Sequence, residues 1–427
     1  MESEHLQRNI LCIDLKSFFA SCECIERGLD PFKAPIVVAN PNQGDGAITL
    51  AVTPFLKNLG VKSRGRLFEI PKNIHYKIIK PRMSLYIAKS KEVVSIYLDF
   101  VSEEDLHIYS VDECFLDITN YLKLYNKTDY ELAQDILKRV YEKTGLTATC
   151  GIGPNLLLAK VAMDIEAKHN SDNIAKWGYE DVETKLWQIK PLSKMWGIGS
   201  RMERNLNKMN IYSIGDLAKS DKGLLKDKFG VIGSELWEHA NGIDLSVISD
   251  FKVLAKSESF SHSQVLFKNY NADNIKIIIS EMVDVISARL RNSQKLAKTI
   301  GLGIGYSKEE SGGFYHTIKL DNPTDSSYEI LNYSLLIFDK FYENHPIRKV
   351  TVCCSSLVKK ENKQLNLFEL DNISEDNNYK INTAVDKIKE KYGKNSVLKV
   401  SNLLDDSTAI ERNKKIGGHY SWQIAEW

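Results

Sequence analysis

The chain has 427 residues, too many for one small hydrophobic core, so we expect two to four domains. Hydrophobic residues make up 43% of it and charged residues 26%, which excludes a disordered or fibrous protein. The net charge of +1 excludes a uniformly basic DNA-binding domain, so any nucleic-acid surface must be a local patch or groove.

Cysteine content and hydropathy exclude further classes. The seven cysteines show no Cys-x-x-Cys spacing, which argues against a disulfide framework and against a structural zinc site. No apolar run is long enough to span a bilayer, and the first nine residues are too polar for a signal peptide. We therefore expect a cytoplasmic protein with no membrane partner.

The first 175 residues alternate between strand and helix patterns. The predicted elements are a strand and a helix within 10–26, a strand over 34–39, helices over 83–99 and about 129–143, and a strand over 146–153. A further helix begins at Pro154-Asn155 and carries Lys160 and Lys168. This alternation indicates an α/β or α+β domain.

The second half divides into a helical part and a mixed part. Short helices separated by glycines are predicted over 181–242. The following residues, 250–360, contain β-prone runs over 299–306 and 349–357 and helical stretches near 273–291 and 326–342. This mixture suggests a small α+β domain, after which a polar linker leads to a last helix.

Three acids stand at the ends of apolar strand patterns. Asp112 and Glu113 are adjacent within Tyr109–Asp117, and Asp14 ends the upstream run that begins at Ile10. Adjacent strand residues point to opposite faces, so the two can share a site only at a strand end, a bulge or a hairpin tip. Converging carboxylates repel one another unless cations lie between them, and oxygen ligands suit Mg²⁺. The alternative for each acid is an ordinary carboxylate facing water.

The segments around these acids resemble the signature segments of one family. Asp14 leads into Ser17-Phe18-Phe19-Ala20-Ser21, and the acidic pair lies within Tyr109-Ser110-Val111-Asp112-Glu113-Cys114-Phe115-Leu116-Asp117. Together they resemble the Y-family translesion DNA polymerases. The resemblance is closest to the SOS-type branch related to the DNA polymerase V catalytic subunit and to Gram-positive and phage UV-damage repair proteins.

The resemblance implies an α+β multidomain fold, a right-hand polymerase with a palm, small fingers, a helical thumb with a helix-hairpin-helix, and an α+β little finger. The boundaries that we expect are 1–17 and 83–175 for the palm, 18–82 for the fingers, 176–245 for the thumb, 253–358 for the little finger, and 359–427 for a clamp-binding linker and C-terminal tail.

The resemblance also implies a two-metal site. Asp14, Asp112 and Glu113 would be the catalytic acids and would hold two Mg²⁺ ions, with the main-chain carbonyl of Leu15 as a further ligand. One ion would activate the primer 3′-hydroxyl, and the other would neutralise the triphosphate. Asp117 is more simply a strand-end or turn residue.

Four residues are expected to contact the nucleotide. Of Phe18 and Phe19, one ring should pack in the core and the other should line the pocket. The family places at Phe19 the aromatic gate that favours deoxynucleotides over ribonucleotides. Lys57 and Lys168 match positions of triphosphate contacts, although many relatives carry arginine where Lys57 stands, and Pro54 replaces a tyrosine found in some.

Two regions are expected to grip DNA. Gly197-Ile198-Gly199 resembles the turn of a helix-hairpin-helix, whose amides would meet a DNA phosphate, with Arg201 and Arg204 adding charge. Candidate backbone contacts in the little finger are Lys256, Arg289, Arg291 and Arg348. The alternative there is an ordinary charged surface. Asp321–Thr324 resembles a loop of the family.

The polar linker contains Gln364-Leu365-Asn366-Leu367-Phe368. Its apolar side chains serve no core there, so an interaction peptide explains them better, and the segment resembles the clamp-binding pentapeptide of bacterial polymerases. The partners implied are primer-template DNA, deoxynucleoside triphosphates and the sliding clamp. A recombinase or other SOS activators are further candidates.

The sequence thus favours a DNA-directed DNA polymerase of low fidelity that copies damaged DNA, in translesion synthesis, SOS mutagenesis and tolerance of UV damage. Two alternatives stay open at this point. One is a non-catalytic accessory protein that binds DNA and the clamp. The other is a nucleotidyl cyclase, which also uses acids on a palm-like hairpin with two metals.

Overall fold

The structure is a computed structural model that describes residues 7–252, 258–360, 372–417 and 419–420. The chain divides into two compact units, one of Met1–Val253 with His419–Trp427 and one of Leu254–Gly418. Both units mix helices with sheets, so the predicted α+β class is confirmed. Among the helices of these residues, none has the length and apolar character needed to cross a bilayer.

The first unit contains eight strands and eleven α-helices among its residues 7–252. In chain order they are β1 Ile10–Leu15, α1 Phe18–Ile25, β2 Ile36–Val38, β3 Ala51–Val52, α2 Pro54–Asn58, β4 Lys77–Ile79, α3 Met83–Leu98, β5 Leu106–Ile108, β6 Glu113–Asp117, α4 Leu122–Tyr125, α5 Asp129–Thr144, β7 Ala148–Gly153, α6 Leu156–Ala162, β8 Ile174–Lys176, α7 Asp181–Thr184, α8 Ser200–Asn207, α9 Ile214–Ala218, α10 Lys222–Phe229 and α11 Val231–Ala240.

A five-stranded sheet forms the centre of this unit, in the order β5-β6-β1-β7-β8. The central strand β1 pairs antiparallel with β6 on one side and with β7 on the other. Because side chains alternate along a strand, Leu11 and Ile13 pack with α3 and α5 on one face, whereas Ile10 and Cys12 pack with α6 on the other. Asp14 shares the parity of Ile10 and Cys12, so it lies on the α6 face.

Two smaller bodies complete the first unit. A three-stranded sheet, β3-β2-β4, has its own apolar cluster between residues 37 and 70. Short helices after Trp177 surround a second cluster that extends to Ala240. These bodies fall within the ranges that we expect for fingers and thumb, although the domain boundaries themselves stay a prediction.

The second unit is built on a four-stranded antiparallel sheet in the order β11-β10-β12-β9. Its elements are β9 Ser259–Tyr270, α12 Ile275–Asn292, β10 Lys295–Tyr306, β11 Gly313–Thr324, α13 Ser327–Phe341, β12 Ile347–Lys359, α14 Asn372–Tyr392, α15 Ala409–Asn413 and β13 Lys415–Ile416. The strand β14 His419–Tyr420 follows and is assigned to the first unit. Helices α12 and α13 pack their apolar faces against the sheet.

The sequence patterns predicted only two of these long strands. Strands β9 and β11 were missed, and Asp321–Thr324, which resembled a loop, is the end of β11. Both strands expose most of their side chains, so they lack the continuous apolar run that marks β10. Strands β9 and β11 are stabilised by pairing with β12 and β10, which the local sequence pattern does not reveal.

Candidate active site

Two of the predicted acids face each other across neighbouring strands. Asp14, near the end of β1, is the register partner of Glu113, the first residue of β6. Asp112 directly precedes β6 at the tip of the β5–β6 hairpin, where the amides of Tyr109 and Ser110 both donate to the carbonyl of Glu113 at 3.0 Å. The adjacent acids therefore occupy a hairpin end, which is the geometry that two neighbouring carboxylates need in order to share a site.

The backbone and one hydroxyl fix Asp112. Its carbonyl accepts a hydrogen bond from the Leu15 amide at 2.9 Å, which ties the hairpin to the end of β1. Its carboxylate accepts a hydrogen bond from the Ser110 hydroxyl at 2.6 Å. The three acids are thus brought to one end of the central sheet.

Two lysines from the helix over the sheet pair with these acids. Lys160 of α6 contacts both carboxylate oxygens of Glu113, at 2.8 and 2.9 Å. Lys168, just beyond α6, contacts Oδ2 of Asp14 at 2.8 Å. Lys160 is buried, whereas the side chain of Lys168 is 37% exposed. The predicted position of Lys168 at the site is consistent with this contact.

Burial and these ion pairs have opposite effects on the pKa values of Asp14 and Glu113. Burial raises the pKa of Asp14, and the Lys168 ammonium counters part of that rise. Burial also raises the pKa of Glu113, against the effect of Lys160. The carboxylates are therefore held where loss of water penalises their charge, a setting in which nearby cations stabilise the ionised form.

The donor set suits a hard divalent cation. The carboxylates of Asp14, Asp112 and Glu113 and the carbonyl of Leu15 offer only oxygen, the atom that Mg²⁺ prefers. Within the described residues, no three acidic, histidine or cysteine side chains are arranged so that they already enclose an ion. The chemistry of the residues fits Mg²⁺. Here the carboxylates of Asp14 and Glu113 contact lysines, and that of Asp112 accepts from the Ser110 hydroxyl.

Phe18 and Phe19 have different surroundings. Phe18 is buried in the core of the first unit, and Phe19 is partly exposed and stacks on Tyr86 with the ring centroids 4.4 Å apart. Tyr86 donates to the fully buried Glu23 at 2.6 Å, and Arg82 donates to the same carboxylate at 2.7 and 3.0 Å. Phe19 therefore lies on a tyrosine whose position is fixed by a buried ion pair.

Lys57 lies in the electrostatic field of the acids, and Lys16 lies in that of Lys57. Partial loss of water lowers the pKa of Lys57, and Asp14 and Asp112 oppose that change. Lys16 lies near enough to Lys57 that the two cations repel, which adds to the effect of burial in lowering the pKa of Lys16. The side chain of Lys16 also donates to Asn173.

The Gly197–Gly199 segment leaves its backbone open. Gly197 has φ of +89°, which glycine adopts without strain, and Gly199 caps the start of α8. A methyl group at either glycine would meet no atom within 4 Å, so the space above these amides is free for a ligand. Arg201 and Arg204 are exposed on α8.

The predicted little-finger contacts have different surroundings. Arg289 is exposed and lies over the ring of Phe260 at 4.6 Å, and Arg348 donates to the Phe267 carbonyl at 3.0 Å. Arg291 is buried and binds both carboxylate oxygens of Asp386 at 2.6 and 3.1 Å. Its burial removes Arg291 from the set of residues that could contact DNA.

Some predicted residues fall outside the described part of the chain. Lys256 lies within 253–257, and the clamp-type segment Gln364–Phe368 lies within 361–371. Their predicted roles therefore stay predictions.

Sequence reasoning assigned no role to Lys160 or Asp164. Asp164 contacts Lys160 at 2.9 Å and Lys168 at 2.7 Å, and so joins the two lysines that bind the acids. The signal that could have identified this cluster is the regular spacing of four residues along one helix, which places charged side chains side by side.

Three family models match the chain. The impB/mucB/samB family model matches residues 13–164, its C-terminal domain model matches 257–367, and the helix-hairpin-helix model of the same family matches 179–211. The last of these covers Gly197 and Gly199.

Full-length relatives are also found. A protein of Bacillus subtilis (strain 168) that is named for UV-damage repair, UvrX, is 41% identical over 98% of this chain and 99% of its own length. DNA polymerase IV 2 of the same organism is 33% identical over 97% of this chain and 99% of its own length.

A solved structure, a Y-family DNA polymerase chimera of Dbh and Dpo4, covers 82% of this chain and 99% of its own with a TM-score of 0.63 at 18% identity, which shows the common fold. The right-hand polymerase fold expected from the sequence is thereby confirmed. The chain therefore belongs to the impB/mucB/samB family, the Y-family polymerases, and is a DNA-directed DNA polymerase.

Proposed function

We propose that this polymerase extends primers across damaged template bases with low fidelity, by two-metal nucleotidyl transfer at Asp14, Asp112 and Glu113. The observation that carries the proposal is the pairing of Asp14 with Glu113 across β1 and β6, with Asp112 at the adjoining hairpin tip. The relatives named for UV-damage repair and as DNA polymerase IV support the same conclusion.

Polymerases of this family generally depend on a divalent metal. Two Mg²⁺ ions held by the three acids and the Leu15 carbonyl would supply activation of the primer 3′-hydroxyl and neutralisation of the triphosphate. The chain's own cations add to this: Lys168 is in contact with Asp14, and Lys57 is coupled to Asp14 and Asp112. Both lysines would bind triphosphate oxygens as point charges.

Phe19 would select the sugar. Its ring is held face to face with Tyr86, which is itself fixed by Glu23. A ring fixed in this way leaves no room for adjustment around a ribose 2′-hydroxyl, so deoxynucleotides would be preferred. Phe18 would contribute by packing beneath it in the core.

DNA would be held by sequence-independent backbone contacts. The open amides near Gly197 and Gly199, with Arg201 and Arg204 beside them, suit a phosphate group. In the second unit, Arg289 and Arg348 remain candidates, together with Lys256. We assign palm, fingers, thumb and little finger to the ranges given by the sequence.

Further partners follow from the sequence alone. We propose that Gln364–Phe368 binds the sliding clamp, and that SOS activators such as a recombinase are candidates for control. Bacterial repair polymerases of this family are normally cytoplasmic, and we propose the same location here.

Primer extension tests the proposal. Purified protein, Mg²⁺ and deoxynucleotides are combined with undamaged, abasic and photodimer templates, with the Asp112→Asn variant alongside. We expect insertion opposite the lesions by the wild type and loss of incorporation by the variant. Asp99→Asn, which replaces an exposed acid at the end of α3, is the matched control and should retain activity.

Each alternative gives a different result. Cyclic nucleotide formation without DNA would identify a cyclase. No extension by the wild type with DNA and sliding clamp present would favour an accessory role, and near-wild-type activity of Asp112→Asn would refute the assignment of the catalytic acids.

A further inference from the structure

The helix that carries the site lysines widens just before Lys168. Helix α6 ends at Ala162 and continues as a π-helical turn over Met163–Ala167. The amide of Lys168 donates to the carbonyl of Met163, five residues back, at 3.2 Å. Such single wide turns are rare and occur frequently at functional sites, because they redirect the side chains that follow.

Asp164 lies inside this turn, between the two lysines. Its Oδ2 contacts the ammonium of Lys160 at 2.9 Å, and its Oδ1 contacts that of Lys168 at 2.7 Å. Each carboxylate oxygen therefore holds one lysine. Since Lys160 also binds Glu113 and Lys168 also binds Asp14, charges of alternating sign connect one catalytic acid to the other through Asp164.

Exposed ion pairs along a helix usually contribute little, and their side chains stay mobile. This cluster is anchored at one end, because Lys160 is only 6% exposed and cannot turn to water, whereas the Lys168 side chain at the other end is 37% exposed. Burial raises the pKa of Asp164, but Lys168 and Lys160 outweigh that effect and hold the pKa below its ordinary value. The carboxylate is thus ionised where it meets both ammonium groups.

We infer that Asp164 is a positioning residue of the polymerase site. It fixes the flexible stems of Lys160 and Lys168, so that the Lys168 ammonium already lies beside Asp14 when a deoxynucleoside triphosphate binds. Without this anchor, Lys168 would keep a single contact and a wider choice of rotamers, and binding the nucleotide would have to order it. The inference rests on the proposed function, since it concerns the nucleotide of that reaction.

Steady-state incorporation of single nucleotides tests the role of Asp164. Asp164→Asn keeps the shape of the side chain and removes its charge. We expect the KM for the deoxynucleotide to rise about tenfold, the effect of about one charge-assisted hydrogen bond, with kcat changed by no more than about threefold. Titration of the deoxynucleotide into protein bound to a dideoxy-terminated primer should show the same loss of affinity without turnover.

A control and a double variant separate positioning from damage to the turn. Glu166 lies in the same π-turn but contacts Trp177 at 2.6 Å and Lys185 at 3.2 Å, so Glu166→Gln should leave KM unchanged. In a Lys168→Ala background, Asp164→Asn should have little additional effect on KM, because its action passes through Lys168. Thermal melting checks that each variant folds.

The outcomes are distinct. A wild type that incorporates nothing overturns the proposed function. If the wild type is active, three results overturn only the role of Asp164. These are a KM that Asp164→Asn leaves unchanged, a KM that Glu166→Gln raises equally, and a rise in KM from Asp164→Asn that persists in the Lys168→Ala background. If Asp164→Asn does not fold, Asp164→Glu, which keeps the charge but displaces it, is tested in the same way with an expected rise of about threefold.

Discussion

Close contact between α6 and β7 should make Gly151 irreplaceable. A methyl group at Gly151 would lie 2.0 Å from the carbonyl oxygen of Ala159 and 2.4 Å from the amide nitrogen of Met163. Both are backbone atoms of the helix that carries Lys160. Ordinary contact begins at 3.4 Å, so the Gly151→Ala variant must separate helix and strand by about 1.4 Å.

This displacement has two expected costs. Overpacking a well-packed core costs about 1–3 kcal/mol, and we expect about 3 kcal/mol here because backbone cannot move aside as a side chain does. In a body of this size each kcal/mol lowers the melting temperature by about 2–4 °C, which predicts a loss of about 6–12 °C. Displacing Lys160 by about 1 Å from Glu113 should also reduce incorporation by about a hundredfold.

Thermal melting and single-nucleotide incorporation below the onset of unfolding measure both effects. Gly46→Ala is the matched control, because a methyl group there meets no atom within 4 Å. Equal melting temperatures of the two variants, together with wild-type incorporation by Gly151→Ala, would refute the claim that the glycine sets the distance between helix and strand.

Three further perturbations test the surroundings of the site and the second unit. Glu23→Gln leaves the charge of Arg82 uncompensated, and denaturant titration should show a loss of about 3 kcal/mol; an unchanged midpoint would contradict this. Burial, reinforced by Arg412, lowers the pKa of His262 to about 4, so only the unfolded chain gains this proton as the pH falls from about 6.5. The free energy of unfolding should therefore fall between pH 6.5 and about 4, and His262→Gln should flatten that dependence if His262 is its source. Arg291→Ala should lower the free energy of unfolding by about 3 kcal/mol and leave the salt dependence of DNA binding unchanged. Arg289→Ala should reduce the slope of DNA affinity against salt concentration. Anisotropy titrations at several salt concentrations distinguish the two variants.

Local sequence was sufficient to predict the central strands and the acids at their ends. The run Ile10–Leu15 is apolar on both faces, and its acid comes where the strand ends, so element and site could be predicted together. The rule that adjacent side chains diverge limited the acidic pair to a strand end, a bulge or a hairpin tip, and the structure has Asp112 at a hairpin tip. These features depend on residues close together in the chain.

The close approach of α6 to β7 was not predictable in the same way. Gly151-Ile152-Gly153 has the same Gly-Ile-Gly sequence as Gly197-Ile198-Gly199. The structure gives the two motifs opposite surroundings: a methyl group would collide with helix backbone at Gly151 and meet open space at Gly197. Only the packing partner decides whether a glycine admits a helix or leaves room for a ligand.

A partner far away in the chain also explains why Arg289 is exposed and Arg291 is buried. Both arginines were candidate DNA contacts from the sequence. Positions two apart on a helix face different sides, but nothing local showed which arginine would face solvent. Asp386, 95 residues further along in α14, binds Arg291 and fixes the answer. Since a buried arginine is stable only with such a partner, Arg291 holds α14 against α12, whereas Arg289 is exposed and stays a predicted phosphate contact.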